Sequence, residues 1–111
     1  MFIAFGCNSI KFNSDSLVIK PYDWIMPSGN NQRQNISISQ NEINPPFTLL
    51  WKYHTEAGFP EYSLTASDNI LFVSNLNGDL NALNIENGKK AGDFSRKDIS
   101  LTSAPVILGD N

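Results

Sequence analysis

Short apolar or alternating segments, separated by turn residues, fill the second half of the chain. Residues 70–74 are apolar on both faces of an extended strand, and residues 79–85 alternate between apolar and polar. Residues 47–53 are rich in aromatic and β-branched side chains, which favour strands, and residues 62–66 alternate apolar and small polar side chains. No segment repeats its apolar residues at the helical period over three turns. The pattern predicts an antiparallel meander of four short strands and almost no α-helix.

Turn residues separate these predicted strands. Asn77-Gly78 predicts a hairpin with a type I′ turn, because that turn needs positive φ at both central residues. Residues 67–69 predict a turn before the strand 70–74, and residues 86–89 predict another turn after the strand 79–85. The alternation in that last strand predicts buried positions at Leu80, Ala82 or Leu83, and Ile85.

The chain divides into three zones by composition. Residues 1–20 form an apolar start and a polar tether, and residues 21–46 form a lead-in loop rich in Asn, Gln, Ser and Pro. Residues 47–111 carry nearly all of the strand pattern. We therefore expect one β domain preceded by an extended polar segment.

Charge and cysteine content exclude several classes of function. The net charge is −3 and the eight Lys and Arg residues are scattered, which argues against a nucleic-acid surface. A single cysteine excludes an internal disulfide framework and a multi-cysteine metal site. The apolar run at residues 1–5 is too short to cross a bilayer, which takes about 20 residues.

The N-terminal segment resembles the end of a bacterial lipoprotein signal. Apolar residues 1–5 are followed by Gly6 and Cys7, although a basic start is missing and Phe5 is bulky for its place. The resemblance implies that Cys7 is acylated and anchors the chain to a membrane. The alternative is that Cys7 is an incidental cysteine in an apolar N-terminus.

A repeat of about forty residues lies in the strand-rich zone. Trp51 and Gly92 are 41 residues apart, and so are Tyr62 and Ser103. A four-stranded repeat of this length is the size of a β-propeller blade. Because one blade has too few apolar side chains to offset the entropy of ordering it, we expect the unit to belong to a longer chain or to self-associate.

Three segments resemble the repeat of pyrroloquinoline-quinone-type propeller proteins: LWKYHT at residues 50–55, NILFVSNLNGDLNALNIENGK at 69–89, and SAPV at 103–106. Gly92 stands where a second Trp is expected, and residues 62–64 lack the usual proline. The resemblance implies an all-β partial propeller of four-stranded antiparallel blades, with one complete blade and part of the next.

Within that family, the chain is similar to the propeller lipoproteins of the outer-membrane β-barrel assembly machine. This implies a non-catalytic scaffold without cofactor or metal that binds proteins in the bacterial cell envelope, at the outer membrane or in the periplasm. Contact with the membrane is expected only through Cys7. The loop residues expected to be exposed for partner contact are Asn75, Leu76, Asn77, Glu86 and Asn87.

Two other readings stay open. The enzyme alternative is the N-terminal part of a quinoprotein dehydrogenase, although the chain lacks the adjacent cysteine pair typical of those enzymes. It also fits a truncated reading frame without a function of its own. His54 has no second residue at metal-ligand spacing, so we expect a surface residue. Asp68, Asp79, Glu86 and Asp110 lie in or beside turns, where backbone geometry favours them.

Overall fold

A single antiparallel sheet organises the protein. The computed structural model describes residues 11–12, 18–34, 36 and 42–108. The sheet order is β1-β5-β4-β3-β2, so four consecutive strands form a meander and the first strand joins its outer edge. These described ranges contain no helix, and so no helix that is long and apolar enough to cross a membrane. The strands are β1 (Lys11–Phe12), β2 (Leu64–Ser67), β3 (Ile70–Ser74), β4 (Asp79–Asn84) and β5 (Lys90–Ser95). The predicted all-β class is confirmed.

The two central strands match the sequence prediction. In β3, Phe72 and Val73 are 4 % and 5 % exposed, so consecutive residues are buried on opposite faces. In β4, Leu80 is buried as predicted, and both Ala82 and Leu83 are buried, where the alternation predicted one or the other. The prediction that Ile85 is buried was wrong. Because β4 ends at residue 84, Ile85 lies in the following turn, where it is 38 % exposed.

The predicted strand at residues 47–53 was also wrong. These residues lie in no strand, and the fourth strand of the meander is β5 instead. Pro45 and Pro46 have no N–H to give to a sheet at its start. At its end, Trp51 and Tyr53 bond to the meander through their side chains and not through a backbone ladder. The segment therefore lies against the sheet without joining it.

The predicted start of β2 needs a smaller correction. The sequence pattern places this strand at residues 62–66, whereas the structure begins it at Leu64. Tyr62 has φ of +56°, in the left-handed region that an extended strand does not use. The strand is thus shifted toward the turn that joins it to β3.

The type I′ turn occurs at a different hairpin from the predicted one. Asp68 and Asn69, between β2 and β3, have φ of +47° and +64°, as type I′ requires. Between β3 and β4, only Gly78 has positive φ, and its N–H donates to the Asn75 carbonyl at 3.3 Å. The Asn75 N–H in turn donates to the Asp79 carbonyl at 3.0 Å. This is a three-residue loop that ends in a glycine bulge, so the prediction of type I′ at Asn77-Gly78 was wrong.

Apolar side chains cover both faces of the meander. We call the side of Phe72, Leu80 and Ala82 the front face, and Ile107 completes its buried cluster. The partly buried residues that pack against this cluster from outside the meander are Ile19, Ile25 and Leu101. The back face carries Val73 and Leu83, which point the other way because side chains alternate along a strand.

Residues 51–58 lie against the meander and contact its connections. The Trp51 indole N–H donates to the Ile85 carbonyl at 2.6 Å, and its ring lies against Gly88. A Cβ on Gly88 would come within 2.6 Å of that ring, so the close approach requires glycine here. Farther along, the Leu76 N–H donates to the Gly58 carbonyl at 3.0 Å. These contacts tie the segment to both hairpin loops of β4.

Both edges of the meander are partly covered by other segments of the chain. β1 pairs with β5 on one side, with Phe12 opposite Gly92. On the other side, the Ala66 N–H of β2 donates to the Trp24 carbonyl at 2.7 Å. The Ala104 N–H donates to the Tyr62 carbonyl just beyond the start of β2, at 2.8 Å. The described chain thus covers part of each edge: β1 pairs with Gly92 and Asp93 of β5, and Trp24 forms a bridge with Ala66 of β2.

Candidate functional site

The loop residues predicted to contact a partner lie at opposite ends of β4. Asn75, Leu76 and Asn77 precede the strand, whereas Glu86 and Asn87 follow it. Six strand residues separate the two loops, a distance of about 20 Å at roughly 3.3 Å per residue. The structure therefore does not bring the two groups together into one contact surface.

One of these residues is not exposed. Asn75 is 1 % exposed, which corrects the prediction for that residue, whereas Leu76 is 44 % exposed. The Asn75 side-chain oxygen accepts the N–H groups of Asn77 and Asp79, each at 3.0 Å. These two hydrogen bonds to the buried Asn75 side chain stabilise the loop between β3 and β4. The other predicted residues, Asn77, Glu86 and Asn87, are exposed.

Cys7, the predicted lipidation site, lies outside the described residues, and so does Asp110. The acylation of Cys7 stays a prediction. His54, the only histidine of the chain, is exposed on the extended segment that follows Trp51, as predicted for a surface residue.

A polar cleft of about 300 Å³ opens between residues 53–56 and the β4–β5 end of the meander. Register explains its polarity: Asp79 is opposite Ser95 and Asn81 is opposite Asp93, so these four side chains share the back face. The remaining lining side chains that matter for its chemistry are Tyr53, His54, Glu56, Lys90 and Lys97.

Asp79 is the centre of the hydrogen bonds in this cleft. Its carboxylate accepts from Lys97 Nζ at 2.8 Å, Ser95 Oγ at 2.6 Å and Asn75 Nδ2 at 3.2 Å. The bond from Lys97, followed by that from Ser95, lowers the pKa of Asp79 from 3.8 to about 2. The carboxylate is therefore ionised at neutral pH and already engaged, a state suited to holding the loop and not to accepting a proton.

A second ion pair lies at the other wall of the cleft. Lys90 Nζ lies 3.0 Å from Asp93 Oδ2, and this hydrogen bond raises the pKa of Lys90. The Tyr53 hydroxyl donates to Asn81 Oδ1 at 3.3 Å, and this bond joins the segment of residues 51–58 to β4. Both lysines of the cleft are thus bonded to carboxylates within the protein.

The cleft gives no arrangement for metal binding. No three His, Cys, Asp or Glu side chains among the described residues come close enough to hold a metal ion. Sequence analysis missed the cleft because its residues come from three separate segments. The alternation of Asp79 and Asn81 with Leu80 and Ala82 was the available signal, since it indicates a polar stripe on one face of β4.

Comparison with known proteins does not show a family for this chain. No protein-family model matches it, and neither the curated proteins nor the solved structures give a significant similarity.

Proposed function

We propose that this chain is a propeller-type β-scaffold that binds protein partners in the bacterial cell envelope without catalysing a reaction. The observation that carries the proposal is burial on both faces of β3, where Phe72 and Val73 are 4 % and 5 % exposed. A strand that is apolar on both faces must be covered on both, as the strands of blades are when the blades stack around a propeller axis.

The hairpin loops support the proposal as contact surfaces. Leu76 and Glu86 are exposed on loops whose backbones are held by asparagine side chains. In the second loop, the Asn84 side-chain oxygen accepts the Glu86 N–H at 2.9 Å. Pre-shaped loops lose little entropy on binding, which favours recognition of a protein surface.

Site-specific photo-crosslinking in intact bacterial cells tests this function. A photoreactive phenylalanine analogue at Leu76 or at Glu86 should give a discrete crosslinked product that contains a cell-envelope protein. The matched control places the same analogue at Gln32, which is exposed on the lead-in segment and outside both loops. No product from either loop, or the same product from Gln32, would contradict the proposed function.

A further inference from the structure

Two Asn-Gly pairs occur in this chain, and each lies in a hairpin loop beside β4. They are Asn77-Gly78 and Asn87-Gly88. In such a pair the asparagine side chain can react with the backbone nitrogen that follows it, because glycine has no Cβ to hinder the approach. The same reactive dipeptide is therefore present twice in one protein, in two different hydrogen-bond environments.

The reaction is a cyclisation within the chain. The glycine backbone nitrogen loses its proton to a base in solution and forms a bond to the asparagine Cγ. The side-chain amide nitrogen takes up a proton and leaves as ammonia. Water then opens the succinimide ring at either carbonyl, which gives an aspartate or an isoaspartate. The side chain must turn toward the nitrogen, and the glycine N–H must leave its acceptor, before the two atoms can meet.

The Asn77 side chain is free to make this turn. It is exposed and forms no side-chain hydrogen bond within the part of the chain that the structure describes. Asn87 is also exposed, but its Oδ1 accepts the Lys89 N–H at 2.9 Å. Rotation of the Asn87 side chain breaks this bond, and the loss slows the reaction at that position.

The two glycine N–H groups differ in the same direction. The Gly78 N–H donates to the Asn75 carbonyl at 3.3 Å, which is longer than an ordinary N–H···O bond. The Gly88 N–H donates to the Asn84 carbonyl at 2.8 Å. The nitrogen of Gly78 is therefore released more easily than the nitrogen of Gly88.

We propose that Asn77 is a site of spontaneous deamidation in the folded protein, and that the fold protects Asn87. Either product adds a negative charge to the loop between β3 and β4. The isoaspartate also lengthens the main chain before Gly78, where a Cβ would already lie 2.5 Å from the Ile99 carbonyl oxygen. This modification site is independent of the proposed scaffold function.

Peptide mapping of the aged protein measures both sites in one sample. The folded protein is incubated in mildly alkaline buffer, and cleavage after Glu86 then separates Asn77 from Asn87. Mass spectrometry follows the replacement of each amide by a carboxyl group. Asn77 should convert about tenfold faster than Asn87, the factor expected when one additional hydrogen bond must break. Enzymatic methylation of isoaspartate should label the same peptide.

Two controls separate the fold from the sequence. In guanidinium chloride the two conversion rates should agree within about twofold, because both loops have lost their hydrogen bonds. The variant Asn77→Gln should not convert at that position over the same time, since glutamine must close a larger ring. Because residue 77 is exposed, this variant should keep the circular dichroism spectrum of the parent and the slow conversion of Asn87.

Three results would overturn the proposal. Conversion of Asn87 as fast as that of Asn77 in the folded protein would contradict the protection assigned to Asn87. The same tenfold preference in the denatured protein would assign the difference to the neighbouring side chains and not to the fold. An unconverted Asn77 in the folded protein, after a time in which the denatured protein has converted, would show that the loop is protected.

Discussion

Replacement of Gly78 by alanine should destabilise the protein by about 3 kcal/mol. Gly78 has φ of +79°, and a side chain in this region costs roughly 1–2 kcal/mol. A Cβ there would lie 2.5 Å from the Ile99 carbonyl oxygen and would overlap that of Arg96. The loop must shift to relieve this overlap, which breaks the 2.9 Å bond from Arg96 N–H to the Gly78 carbonyl at about 1 kcal/mol.

Urea unfolding followed by circular dichroism measures this loss. With m of about 1–3 kcal/mol per molar urea, the midpoint of Gly78→Ala should fall by roughly 1–3 M. Gly58→Ala is the matched control, because its Cβ would meet only Leu76 Cδ1 at an ordinary 3.8 Å. We expect that control to stay within about 0.5 kcal/mol of the parent. Equal midpoints for the two variants would refute the assigned loop geometry.

Three further substitutions test the core, the cleft and the packing of residues 51–58 against the meander. Leu83→Ala, at a side chain 1 % exposed, should cost about 2–5 kcal/mol in urea unfolding, whereas Leu108→Ala should cost less than about 0.5. Asp79 has a folded pKa of about 2, below 3.8, so its contribution is full above pH 4 and is lost as pH falls toward 2. Asp79→Asn should therefore flatten the stability–pH curve in that window, and an unchanged slope would contradict the cleft network. Trp51→Phe should cost about 1 kcal/mol in thermal unfolding through the lost bond to the Ile85 carbonyl, and no cost would argue against that bond.

The local sequence pattern was sufficient to predict the strands β3 and β4 and the position of the turn between them. The apolar run of β3 and the alternation of β4 each specify a strand, and the glycine of Asn77-Gly78 marks the turn between them. The turn type was not predictable from that dipeptide, because the buried Asn75 side chain makes the loop one residue longer. The burial of the Asn75 side chain, a tertiary feature, thus determined the type of turn between β3 and β4.

The outer strand β5 and residues 47–50 show where the local sequence pattern fails to predict the structure. β5 reads Lys-Ala-Gly-Asp-Phe-Ser, with one large apolar residue, and is a strand because β4 and β1 flank it. Residues 47–50 have much stronger strand propensity, yet they lie in no strand of the described part of the chain. The cleft was equally hidden, since strand register brings Asn81 and Asp93 together.

Amide hydrogen exchange resolved by residue tests the central claim most directly, namely that the meander is complete without residues 47–50. For the protein alone, amides bonded within β3, β4 and β5 should be protected, and those of residues 47–50 should exchange at nearly the rate of an unstructured chain. The contrary pattern, with residues 47–50 protected and β5 unprotected, would place residues 47–50 in the sheet. It would contradict the strand order in which β5 lies beside β4.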